Sequence, residues 1–258
     1  MIINDLKMKE RLNILWTGGL DSTYLMVNLL RMGVILQPYY IIDKDRKSVN
    51  KEIDAIKNIT NTIRSSNNIS GVLHDCIFVE KDKIALCPEI TESWQALNEK
   101  YTLGSQYDWL ARFAKQENLK LLVGVQMESR GKVVHTLEGR SLNESTIGGV
   151  SVFSVEGVGG LNRDAQLVFE NILFPSLIVG VTKVEEWEYL QKMHFGDIAK
   201  MTWFCHSPVL GLTCGQCNPC KDALNEGMAF RVNRFGRVLG SLRKLLYRLQ
   251  YRITTWTT

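Results

Sequence analysis

The chain has 258 residues, enough for one large α/β domain or two small ones with a sizeable buried core. Hydrophobic residues at 45% and charged residues at 22% fit an ordinary globular protein and argue against disorder. The net charge of +4 is unevenly placed: residues 228–258 hold seven Arg or Lys and no Asp or Glu, so the rest sums to −3. No apolar run approaches the ~18 to 20 residues that span a bilayer, and residues 1–5 lack a basic stretch leading into an apolar one. The expectation is a cytoplasmic protein with no transmembrane segment.

Residues 12–16 form a short apolar run that reads as a buried β-strand, and the apolar segment 24–30 has helical character. Between them lies Trp16-Thr17-Gly18-Gly19-Leu20-Asp21-Ser22-Thr23. Adjacent glycines can take φ > 0 and admit an oxyanion close to the backbone, and the following helix aims its free N–H groups at the same place. Ser22 and Thr23 add hydroxyl donors. Asp21, unwelcome beside a phosphate, makes sense if it holds a divalent cation that bridges phosphate oxygens. The same residues also fit an ordinary βα turn with Ser22 as a helix cap.

Downstream, residues 34–42 predict a second strand, with Pro38 tolerable only near its start or at a sheet edge. Asp43 and Arg46 follow at its carboxyl end, where open parallel sheets bind ligands; a solvated loop is the alternative. Ile53, Ile56, Ile59 and Ile63 give residues 51–64 an amphipathic helical period. Residues 72–79 predict a third strand, with Cys76 a small buried thiol. Ser105 is a candidate cap for a helix ending near Asn118, and residues 119–125 predict a strand in which Gly124 permits close approach of a ligand or backbone. Glycines punctuate residues 127–163, which suggests hairpins or a lid loop. Residues 177–181 predict a short strand, and Thr182 with Glu185 a capping box opening a helix toward Met193. The alternation predicts a doubly wound, mostly parallel α/β sheet over residues 1–200.

Cys205, Cys214, Cys217 and Cys220 have the spacing C-x8-C-x2-C-x2-C, which suits tetrahedral Zn²⁺ and leaves no open position, so a structural metal in a 201–225 segment is expected. An iron–sulfur cluster and four unconnected thiols are the alternatives. His206 is read as a bystander, and His74, His135 and His194 as lone histidines. Residues 226–258 form a basic tail in which Leu242, Leu245, Leu246, Leu249 and Ile253 fall close to one helical face, with Arg243, Lys244, Arg248 and Arg252 around it. Packing on the domain or a protein partner, contact with nucleic acid, and a membrane surface all fit such a helix.

The octet resembles the Ser-Gly-Gly-x-Asp-Ser signature of PP-loop ATP pyrophosphatases, with Thr17 in place of the first serine. Together with Thr202-Trp203-Phe204-Cys205, the segment 214–220 and Thr182-Lys183 before a Glu, it is similar to the 7-cyano-7-deazaguanine synthase family of queuosine biosynthesis. The resemblance implies an adenine-nucleotide-hydrolase-like fold with a four-cysteine Zn²⁺ extension. It also implies ATP with Mg²⁺ bound by Trp16, Thr17, Gly18, Gly19, Leu20, Asp21, Ser22, Thr23, Asp43 and Gly124, and catalysis by Asp21 and Lys183. The implied reaction is adenylation of a carboxylate such as 7-carboxy-7-deazaguanine with release of pyrophosphate, displacement of AMP by ammonia to give the amide, and activation of the amide oxygen by a second ATP so that it dehydrates to the nitrile; a homodimer is compatible with it. Coupling of the acid to an amine of a protein or other macromolecule, as in phage-defence relatives, and tRNA thiolation or another nucleic acid modification, with Cys76 and Cys87 the candidate reactive cysteines, are the alternatives. Two stretches depart from the family: residues 126–130 lack its base-binding sequence, and Gly104-Ser105 stands where Gly-Arg is usual.

Overall fold

A computed structural model describes residues 10–125, 132–137 and 140–256, with side chains to residue 246. The altered stretch 126–130 therefore lies outside the described residues, as do the side chains of Arg248, Leu249, Arg252 and Ile253. The elements in order are β1 (Arg11–Leu15), α1 (Leu20–Arg31), β2 (Ile35–Ile42), α2 (Val49–Arg64), β3 (Val72–Leu73), β4 (Ile77–Glu80), α3 (Pro88–Tyr101), α4 (Gln106–Gln116), β5 (Leu121–Leu122) and α5 (Lys132–Thr136). They continue with β6 (Asn143–Ile147), β7 (Val150–Ser154), α6 (Arg163–Phe169), β8 (Ile172–Pro175), α7 (Lys183–Lys192), α8 (Gly196–Met201), α9 (Asn218–Asn225) and α10 (Arg234–Trp256).

One eight-stranded sheet runs β3-β2-β1-β5-β8-β7-β6, with β4 also on β2. β1 to β5 and β8 are parallel, and the β6–β7 hairpin closes one side antiparallel. Central strands are apolar on both faces because both are covered. Ile14, Leu122 and Leu173 join a core with α1, α2, α7 and α8, while their neighbours Leu15, Leu121 and Phe174 join a second core with α3, α4 and α6. The fold is thus α/β with a mostly parallel mixed sheet and helices on both faces. Chain order reverses between β1 and β5, and the carboxyl ends of these two strands open the crevice in which such sheets bind ligands.

Several sequence expectations change. Pro38 sits inside β2, opposite Ile14 of β1, rather than at an edge. The Tyr39 carbonyl faces β1, accepting from Trp16 N–H, and the Leu36 carbonyl faces β3, accepting from His74 N–H. Period-two geometry turns the Pro38 nitrogen to the β3 side. There the predicted single strand 72–79 is broken into β3 and β4, and the Gln37 side-chain amide donates to the Asp75 carbonyl in the gap (2.8 Å). The missing N–H thus falls where no ladder bond is made. Cys76 lies in that gap, half-buried, its thiol pushed up to about 12 by burial. Residues 177–181 are not a strand: β8 ends at Pro175 and a 3₁₀ turn, Ser176–Ile178, follows. Ser105 precedes α4 but makes no capping bond. Thr182 and Glu185 do form the predicted capping box. The glycine-rich region contains the β6–β7 hairpin, turning at Gly148 and Gly149, whose φ values of +57° and +81° suit a two-residue turn that few other residues adopt. Among the described residues, no helix is long and apolar enough to cross a membrane.

Candidate functional site

The strand, turn and helix of residues 11–31 place the glycine loop at the sheet's switch point. Gly18 alone of the two glycines has positive φ (+68°), and a Cβ there would lie 3.1 Å from the Glu52 carbonyl and 3.2 Å from Ala55 Cβ. Gly19 is extended (φ −79°, ψ 168°) and caps α1 without a side chain. The first helical bond runs from Thr23 N–H to the Gly19 carbonyl (3.1 Å), so the N–H groups of Leu20, Asp21 and Ser22 open α1 without an intrahelical acceptor. Ser22 lies within α1, its hydroxyl 3.3 Å from that of Thr17, and is not the cap.

A cleft of about 250 Å³ opens over this helix end. It gathers Thr17, Gly19, Leu20, Asp21, Ser22, Gly124 and Lys183 from the predicted set, and Arg46 from the loop after β2. Trp16, Gly18 and Thr23 lie behind it. Trp16 is fully buried, and its indole N–H donates to the equally buried Thr23 hydroxyl (3.0 Å), bracing the loop. Asp43 does not line the cleft; its carboxylate is paired with Lys81 (2.8 Å) beyond β4. Gly124 packs beside Ser22, Leu25 and Ile178, where a Cβ would meet ordinary contacts at 3.5 Å.

The opposite wall comes from residues that the sequence reading did not assign to a pocket. Trp203, Phe204 and His206 lead into and out of Cys205, Pro219 lies just before Cys220, and Ala223, Met228 and Arg231 follow it. Trp203 N–H donates to the Gly18 carbonyl (2.9 Å), so the two walls are joined by the backbone. Arg231 donates to the Thr202 carbonyl (2.9 Å) and hydroxyl (2.6 Å) and stacks on Phe204 and Trp187, 4.7 and 5.3 Å from the ring centres. Burial pulls its pKa down to about 10 against the pull of Asp21 and Glu186. Burial first and the Arg46 charge second hold His206 below its usual range, favouring the neutral ring. Arg46 is held by Glu52 (3.4 Å), whose carboxylate also accepts from the Tyr40 and Ser48 hydroxyls, each at 2.6 Å.

Glu186, one turn after the capping Thr182, is fully buried, and neither carboxylate oxygen has a hydrogen-bond partner among the described residues. Burial first, then the charge of Asp21, push its carboxyl up to about 10, opposed by Lys183 and Arg231. The usable signal was the second Glu of Lys183-Val184-Glu185-Glu186: at i+3 from Lys183 it shares the face that the helix turns to the loop.

The sulfurs of Cys205, Cys214, Cys217 and Cys220 all lie within 4.8 Å of one another, and those of Cys205 and Cys217 are 3.9 Å apart. A tetrahedron of thiolates at the usual zinc distance has edges of about 3.8 Å. Backbone N–H groups point at the sulfurs: Cys214 to Cys205 (3.2 Å), and Gln216 and Cys217 to Cys214 (3.4 Å each). Such donors favour thiolates, and hydrogen bonding with the Cys205 and Cys220 thiols holds Cys217 well below the usual thiol range. The four cysteines can hold a metal ion such as zinc. His206 remains outside the set.

Compared with known protein families and with curated proteins, the chain matches no family model and no curated sequence.

Proposed function

We propose that the chain is an ATP-dependent carbon–nitrogen ligase of the PP-loop type, which adenylates a carboxylate with release of pyrophosphate and passes the acyl group to ammonia or an amine. The observation that carries this reading is the meeting of Asp21, Ser22 and Lys183 at an open helix start on the switch point of a parallel sheet. In this scheme the N–H groups of Leu20, Asp21 and Ser22, with the hydroxyls of Thr17 and Ser22, receive the phosphates. Lys183 offsets charge on the leaving pyrophosphate. Asp21, with the orphaned Glu186 beside it, is the fitting place for Mg²⁺, which when bound supplies charge neutralisation between phosphate oxygens. Arg46 and Arg231 face the same cleft and suit the substrate carboxylate. The cysteine segment, holding Zn²⁺, shapes the far wall and has no open position for catalysis.

7-Carboxy-7-deazaguanine is the acid that the motif resemblance nominates. A second reading, coupling of such an acid to an amine of a macromolecule, is favoured by the departure of residues 126–130 from the family's base-binding stretch. The thiolation reading gains no support, because neither Cys76 nor Cys87 lines the cleft. The test is incubation of the zinc-loaded protein with Mg-ATP, 7-carboxy-7-deazaguanine and ammonium, following AMP, pyrophosphate and all product and protein masses. AMP with a nitrile is expected, and Asp21→Asn should lower the rate by about 10²-fold or more. AMP formed with a mass added to protein would establish the coupling reading. Absence of AMP would sink the deazaguanine assignment.

A further inference from the structure

α10 docks one side on the cysteine segment. A Cβ at Gly236 would lie 2.4 Å from the Thr213 carbonyl oxygen and one at Gly240 2.0 Å from that of Cys214, so only glycine admits this contact. Gln216 reaches Ser241 (2.9 Å), and Arg243 donates to the Ser207 carbonyl (3.0 Å). The other side is bare. Phe235, Val238, Leu242, Leu245 and Leu246 are 51–61% exposed. At about 100° per residue they share an arc of roughly 100° whose centre lies about 150° from the two glycines. In the sequence the same spacing continues through Leu249 and Ile253. The helix also contains Arg234, Arg237, Arg243, Lys244, Arg248 and Arg252, with no Asp or Glu.

We propose that this bare face is a docking surface for an anionic lipid bilayer, with α10 lying in the headgroup region and its apolar stripe turned inward. Two features must be satisfied together, five large apolar side chains in water and a cationic helix without a single acid. Nucleic acid would neutralise the cations but leave the stripe wet. A second copy of α10 would cover the stripe but bring six further cations alongside the first six, again with no acid between them. An anionic bilayer buries the stripe and attracts the cations at once. This inference is independent of the chemistry in the cleft.

The test uses the full, zinc-loaded chain sedimented with vesicles of phosphatidylcholine alone or mixed with phosphatidylglycerol. Binding to the mixed vesicles only, weakening as salt is raised, is expected. Arg234, exposed and about 70° from the centre of the stripe, lies beside it, and Arg234→Gln should weaken binding about fivefold. The double variant Leu242→Glu, Leu245→Glu should weaken it about 100-fold. Both leucines are exposed, so unchanged zinc content and circular dichroism will show that the variant is folded. Equal binding to both vesicles, or to neither, would overturn the proposal. So would a dimer that the double variant dissociates, or RNA binding that the double variant retains in a chain that ignores vesicles.

Discussion

The two walls of the cleft are held in different ways. The loop wall, residues 16–23, is seated on a parallel sheet between two apolar cores, with Trp16 and Thr23 fully buried behind it. The wall made by residues 202–231 has short helices and turns around a small core of three buried cysteines. It meets the loop wall through the Trp203–Gly18 backbone bond. Hydrophobic burial fixes the first; four sulfurs and the arginine stack on Phe204 and Trp187 fix the second. A site built this way loses one wall at a time.

The sharpest break is Cys214→Ser. Without its fourth thiolate the proposed zinc would be lost, and structural zinc contributes on the order of 10 kcal/mol to small domains. The expected result is loss of bound zinc and new proteolytic cuts within residues 202–231, while the sheet domain stays resistant. Cuts spread evenly through the chain would show that the walls are not separately held. Gly18→Ala strikes the other wall: the left-handed φ and the 3.1 Å approach to the Glu52 carbonyl should cost about 2 kcal/mol, read as a lower denaturation midpoint with zinc content unchanged.

Glu186 sharpens the comparison because it lies between the walls. Its folded pKa of about 10 stands above the ordinary 4.5, so the folded state holds a proton that the unfolded state releases across that window. Its contribution is present below pH ~4.5 and is lost as pH rises toward ~10. Glu186→Gln should therefore raise stability by about 1 kcal/mol at pH 7, more at pH 9 and not at pH 4. Melting curves at these three pH values will show it; a gain that is flat with pH would refute the protonated carboxyl. The smallest effect is expected of Asp43→Asn. It breaks a partly exposed pair with Lys81, about 0.5 kcal/mol, and should leave the proposed ATP cleavage unchanged. A fall in the proposed ATP cleavage without a matching stability loss would place Asp43 in the proposed nucleotide site.

Elements whose residues carry their own period were legible: the β1-turn-α1 unit, the isoleucine face of α2, the capping box of α7 and the cysteine spacing. The helix Pro88–Tyr101, with Ile90 and Leu97 buried on one face, was equally readable but was not taken from the sequence. Misplaced elements came from contacts that no local pattern encodes. Pro38 is tolerated mid-strand because a distant strand happens to break beside it, and residues 177–181 turn away because β8 already fills the sheet position.

The sequence by itself determined the glycine turn, the acid and hydroxyls that follow it, the metal-competent cysteines and the cationic, apolar-striped tail, because each depends on residue type at short spacing. Only the tertiary structure decided that Asp43 faces Lys81 and not the cleft, that Glu186 is buried beside Asp21 with no hydrogen-bond partner among the described residues, and that the cysteine segment forms the second wall with Arg231 stacked inside it. It also decided that two glycines of α10 face the cysteine loop while Leu242, Leu245 and Leu246 face outward. Those outcomes join residues far apart in the chain, where burial and close packing, rather than spacing, select the neighbours.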